Sequence, residues 1–129
     1  MHKRFVVTAA VLGAIAVALG AFGAHGLKKI VAAETVQTFQ TGVQYQMYHA
    51  LALLLAGLLY EKCSKKFVRT AGMLFIIGVI LFSGSLYLLT AGKVAETAAM
   101  DKAGIITPLG GLAFIGGWLF LFLAAIRSK

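Results

Sequence analysis

Among the side chains of this sequence able to do chemistry, two histidines stand in the least expected places. His25 closes an apolar run in "GAFGAHGLKK" (Gly20–Lys29), and His49 lies inside "YQMYHALALL" (Tyr45–Leu54). A neutral imidazole can act as a general base, relay a proton or ligate a metal, because one ring nitrogen donates while the other accepts. Each role needs partners. Base catalysis asks for a positioned acid or nucleophile. The acidic residues Glu34, Glu61, Glu96 and Asp101 all fall between the apolar runs rather than within them. Two histidines with no nearby carboxylate or thiol make a poor metal site, and Cys63, the sole cysteine, offers neither a disulfide nor ligand spacing. "GAFGAHG" follows an apolar run rather than a strand, so phosphate cradling does not fit, and no nucleophile elbow, HExxH or Walker sequence occurs. The expectation is no catalytic residue, no metal and no cofactor.

Other polar groups share those apolar surroundings. Gln44, Tyr45 and Tyr48 precede His49; Ser83, Tyr87 and Thr90 recur at i, i+4 and i+7; Thr107 opens "TPLGG". What these nine residues can do together depends on the elements that carry them.

Those elements are membrane helices. The 129 residues are 60% hydrophobic and 12% charged, with a mean hydropathy of +0.92. A soluble core of this size could not bury so much apolar surface. Crossing ~30 Å of hydrocarbon takes about 20 mostly apolar residues. Four segments reach or approach that length: 5–24, 44–60, 68–90 and 108–126. The second does so only by taking Gln44 and its polar neighbours into the membrane boundary. The first is longer than a signal-peptide core and is expected to stay uncleaved. Between the first two spans, Val36, Phe39, Val43 and Met47 alternate with Gln and Thr at helical period. They predict an amphipathic helix lying on the surface or leading into span two.

Counting Lys and Arg in the flanks orients the chain. Lys3, Arg4, Lys62, Lys65, Lys66, Arg69, Arg127 and Lys129 make eight on the side of both termini, against Lys28, Lys29, Lys93 and Lys102, four, on the other. Both termini are therefore expected in the cytoplasm. The basic residues form no aromatic-interleaved stripe, so contact with lipid headgroups fits better than nucleic acid.

In membranes, helices associate through close packing and polar contacts. On a helical wheel, Leu12, Ile15, Leu19 and Phe22 form a bulky stripe of span one, expected to face lipid. Ala9, Gly13, Ala16 and Gly20 form a small one, with Ala10, Ala14, Ala18 and Ala21 beside it, expected to face the interior. Gly110, Gly111, Gly116 and Gly117 repeat the device in span four, which Thr107 and Pro108 start as N-cap and first residue. Of these, Gly13, Gly20, Gly110 and Gly117 are the expected helix-packing positions. With this topology the nine polar residues gather in the outer half of the bundle. The wheel aims His25 at His49 and Tyr48; the plainer alternative is an imidazole that closes its own helix by bonding a carbonyl.

"GAFGAHGL", "YQMYHALALL", "LFSGSLYLL" (Leu81–Leu89) and "ITPLGGLAFIGGW" (Ile106–Trp118) resemble, in order, blocks of the DUF423 family. These are small multi-pass bacterial membrane proteins of the UPF0382/YwdK type, with relatives in the eukaryotic transmembrane protein 256 group. The resemblance implies a four-span protein of the bacterial plasma membrane and supplies no catalytic residues. The sequence thus predicts an all-α integral membrane four-helix bundle forming one domain over 1–129. It would be non-enzymatic, working through lipids, a protein partner or a second copy of itself. The alternative is a small oligomeric transporter or channel built around His25 and His49.

Overall fold

The computed structural model describes residues 1–128; Lys129, counted above among the basic flanks, lies outside them. Helix α1 spans Lys3–Ala24, α2 Ala33–Leu59, α3 Lys65–Gly78, α4 Gly84–Val94 and α5 Thr107–Ile126, with no strand among the described residues. A π-helical turn over Val79–Ser83 joins α3 and α4 into one rod. Short 3-10 turns, Leu27–Lys29 and Asp101–Ile105, sit in the connections. The chain is all-helical, as its periodicity predicts.

Three stretches are long and apolar enough to cross a membrane: Lys3–Lys29, Lys65–Val94 and Asp101–Ile126. Helix α2 is not one of them, although its 27 residues extend about 40 Å at 1.5 Å each. Its position accounts for its polarity. Helix α1 packs on α2 and α3 packs on α5, while α2 also meets α3, the π turn and α4. The one long helix that falls short of a span in apolarity is therefore the central one, shielded on several sides by its neighbours. The amphipathic segment is no separate surface helix; it is the first half of α2, with Phe39 and Val43 buried against Ala16 and Leu27. At the opposite end Phe5, Ala9, Leu53, Ala56, Val68 and Ala124 close a second core.

The wheel of α1 needs correction. Its buried residues are Phe5, Ala9, Ala16 and Gly23, and Leu12 and Leu19 pack beside them rather than facing lipid. Ala10, Ala14, Ala18 and Ala21 are exposed. A 3–4 spacing through 5, 9, 12, 16, 19 and 23 defines the seam, and it cuts across the large and small stripes.

Three of the glycines act as sockets for phenylalanine rings. A Cβ on Gly72 would collide with the Phe5 ring, on Gly78 with Phe114, and on Gly117 with Phe75 at 2.6 Å. Gly110 is different, because a Cβ there would strike the backbone of Phe82 in the π turn. Gly20 has only an ordinary 3.4 Å contact with Val43, and Gly13 has open space. The α5 start also differs from expectation. Ile106 occupies the cap position and Thr107 is the first helical residue, with Pro108 in the first turn where its missing N–H leaves no bond unmade. The Thr107 hydroxyl is engaged elsewhere.

Candidate functional site

Two glutamines of α2 reach its neighbour's backbone. Gln46 Nε2 donates to the Leu12 carbonyl of α1 at 2.8 Å, and the Tyr87 hydroxyl of α4 donates to Gln46 Oε1 at 2.6 Å. One side chain thus ties three helices together. Nearer the start of α2, Gln40 Nε2 donates to the Gly20 carbonyl at 3.1 Å. Both carbonyls already sit inside α1, but each has a second lone pair. Small residues leave that lone pair reachable: Ala16 lies one turn beyond Leu12, and Gly23 and Ala24 lie one turn beyond Gly20. A Cβ on Gly23 would come within 2.6 Å of Gln40 Nε2. Between α2 and the π turn, Ser83 Oγ donates to the Gly42 carbonyl at 2.6 Å.

His49 lies in a different group. Its Nδ1 is 2.7 Å from the Tyr45 carbonyl, and its Nε2 is 3.1 Å from the Trp118 indole nitrogen of α5. An indole N–H can only donate, so Nε2 accepts and Nδ1 carries the proton. The imidazole is thereby fixed as one neutral tautomer. It stacks on Phe114 with ring centroids 3.5 Å apart and has Phe75 at 5.7 Å. A third group joins α4 to α5, where the Ser85 and Thr107 hydroxyls are 2.5 Å apart and Ser85 also donates to the Phe82 carbonyl. Thr90 bonds back to its own helix at Leu86.

The nine expected residues are therefore not one cluster. His49, Ser83 and Thr90 are buried and Tyr87 and Thr107 half-buried, in the groups just described. Gln44 and Tyr48 are exposed, and Tyr45 lays its ring against Phe82 while remaining partly outside. His25 does not face His49 or Tyr48. It is exposed, with Nδ1 3.0 Å from the Ala21 carbonyl, so it closes the end of its own helix. The wheel misplaced it because α1 ends at Ala24 and His25 has left the helical conformation, at φ −123° and ψ −72°.

Residue-type reasoning missed Gln40, Gln46 and the Trp118 bond. One signal was available for Gln46: with Phe39, Val43, Ala50 and Leu53 it keeps the 4–3–4–3 spacing of the buried seam. Every buried side-chain nitrogen or oxygen among the described residues has a hydrogen-bond partner. Five surface hollows have volumes of about 160, 320, 340, 290 and 360 Å³, and none of the five is lined by His25, His49, Ser83 or Tyr87. No group of three His, Cys, Asp or Glu residues that could hold a metal forms among the described residues. Where the α2–α3 loop meets the start of α3, the Lys65 ammonium bonds Glu61 at 2.8 Å and holds its carboxyl below the ordinary carboxylate value.

Three long apolar helices around a polar but internally bonded fourth define an α-helical membrane protein with a closed polar interior. Comparison with known proteins makes the assignment specific. Residues 19–111 match the family described as "Protein of unknown function (DUF423)". The chain is 44% identical over 126 residues to the UPF0382 membrane protein YwdK of Bacillus subtilis (strain 168), covering 97% of this chain and 98% of that one. It is 38% identical over 130 residues to the UPF0382 inner membrane protein YgdD of Escherichia coli (strain K12), covering 100% and 95%. A UPF0382 membrane protein of Haemophilus influenzae is 37% identical over 132 residues, covering 100% and 98%. The chain belongs to the DUF423 family of UPF0382 membrane proteins. No solved structure matches it.

Proposed function

We propose that this protein is a single-domain, four-span bundle of the bacterial plasma membrane, with both termini cytoplasmic, that acts by contact with a membrane partner. It carries no chemistry or conduction of its own. One observation carries this reading: the buried polar side chains are all bonded within the protein, which leaves none aimed at a substrate. Hydropathy undervalues α2 as a crossing, because polar atoms satisfied inside a bundle do not have to be desolvated against lipid. Its length suffices for a fourth span, and four spans agree with the excess of Lys and Arg on the side of the termini. A conduction path has less support, since it needs polar groups that continue toward the cytoplasm, and Leu53, Ala56 and Val68 fill that end.

The outward apolar stripe of α5, with Leu112, Ile115 and Leu119 exposed, is a surface from which a partner can be captured. Photoreactive residues at these positions in living cells should give discrete protein adducts, including any with a second copy. Lipid adducts alone at all three would overturn the contact role. Orientation is tested separately. Cys63, in the loop between α2 and α3, should resist a membrane-impermeant maleimide in intact cells, whereas K28C in a C63S background should react. The reverse pattern would invert the topology.

A further inference from the structure

At the end of the bundle that carries the N-terminus, a hollow of about 320 Å³ opens between α1 and α3. Arg4 and Arg69 line it from opposite walls, with His2 beside them and Thr8, Met73 and Ile76 along its length. The layering follows from helical spacing. Arg69, Met73 and Ile76 recur at i, i+4 and i+7 on one face of α3, while Arg4 and Thr8 are i and i+4 on α1. Charge therefore sits at the helix starts, and apolar surface lies about one to two turns deeper.

We propose that this hollow binds an anionic phospholipid, with its phosphate between the Arg4 and Arg69 guanidinium groups and an acyl chain along Met73 and Ile76. Guanidinium groups match phosphate oxygens through paired N–H donors. Two arginines on different helices at the headgroup level hold one phosphate more selectively than separate surface lysines. The nearest-placed acid does not neutralise them. Glu61 is bonded to Lys65, and that is the single ion pair among the described residues. His2 adds a donor of fixed direction. Its Nδ1 accepts the Phe5 backbone N–H at 3.3 Å, and the ring stacks on Phe5 at 3.8 Å. The remaining proton is therefore on Nε2. Anionic-lipid binding requires only that α1 and α3 lie in the membrane, and it stands whether or not the protein has a partner.

The test is native mass spectrometry of the full-length protein released from vesicles of mixed phosphatidylglycerol and phosphatidylcholine. Wild type should retain phosphatidylglycerol in preference to phosphatidylcholine. R4Q/R69Q should lose that preference by roughly 25-fold, at about fivefold per arginine. K28Q/K29Q, which removes the same charge from the other face, should keep it. If R4Q/R69Q does not fold, R4K/R69K serves, since it keeps the charge and loses the paired donors; it should show a weakened preference. M73W, which fills the apolar floor without changing charge, should also reduce retention. Equal retention of the two lipids by wild type, or equal loss in K28Q/K29Q and R4Q/R69Q, would overturn the site. Release of the lipid by excess inorganic phosphate would reassign it to free phosphate, which also overturns it.

Discussion

Replacing Gln46 by leucine perturbs the bridge that ties α1, α2 and α4 together. Q46L removes the bond to the Leu12 carbonyl and the bond from the Tyr87 hydroxyl. Hydrogen bonds between membrane helices average about 0.6 kcal/mol each, so the two together contribute about 1.2 kcal/mol. The consequences for the partners are unequal. The Leu12 carbonyl keeps the bond of its own helix, whereas the Tyr87 hydroxyl loses its acceptor in a half-buried position. An orphaned polar group adds about 1–3 kcal/mol, and leucine regains little, because lipid is as apolar as the bundle interior. The expected total is about 2–4 kcal/mol. Y87F should cost about 2–4 kcal/mol, since it removes one bond and orphans Gln46 Oε1 in a buried position. Q46L/Y87F removes both the orphan and the bond, so it should be no worse than Q46L alone, short of the sum of the single changes by about 1 kcal/mol or more. Reversible unfolding in mixed micelles, followed by far-UV circular dichroism, measures all three variants. Q46L within about 0.5 kcal/mol of wild type, or strict additivity with Y87F, would show that the bridge does not hold these helices.

Three further outcomes are expected. G78A should destabilise by about 1–3 kcal/mol because its methyl meets the Phe114 ring, while G13A, with open space, should be neutral or stabilising by up to about 1 kcal/mol; paired melting curves in one detergent check the contrast. Helix α4 ends with Thr97 N–H donating to the Gly92 carbonyl and Glu96 N–H to the Lys93 carbonyl, which leaves Glu96 at φ 54° where glycine is usual. E96G should therefore raise stability by about 1 kcal/mol, read from the same melts. The Glu61 carboxyl is lowered by its bond to Lys65, so the pair's stabilisation is present above the ordinary carboxylate value of 4.5 and fades as pH falls through the lowered one. E61Q should flatten that acid-side part of the melting-temperature profile and lower stability at neutral pH by the same amount, which is small because the pair is solvent-exposed.

Much of the fold is legible in the residues. The runs at 5–24, 68–90 and 108–126 lie within helical stretches of the same order, because a segment that must satisfy its own backbone in lipid has little choice but helix. Helix α2 is harder to read. Its glutamines look like a surface pattern until the acceptors are known, and those acceptors are backbone carbonyls, which leave no mark in residue types. The π turn is hidden for a related reason. It is stabilised by what it meets, with Ser83 bonded to Gly42 and Phe82 pressed on Gly110. The glycines were visible, but their partners were not. A small residue advertises a socket without saying whether a backbone or a phenylalanine fills it. His25 shows how far a wheel can be extended, since angular position means nothing one residue beyond the helix end.

The direct test of a closed polar interior is water contact at the His25 and His49 imidazoles, the third histidine, His2, standing at the N-terminus. Water-edited solid-state NMR on nitrogen-15 histidine-labelled protein in bilayers, with H25N and H49N variants to assign the signals, reports it at each ring. The bonding seen here requires His49 to be the Nδ1–H tautomer with no transfer from water, while His25 exchanges freely at the surface. Equal water transfer to both rings would mean that a wet path reaches His49.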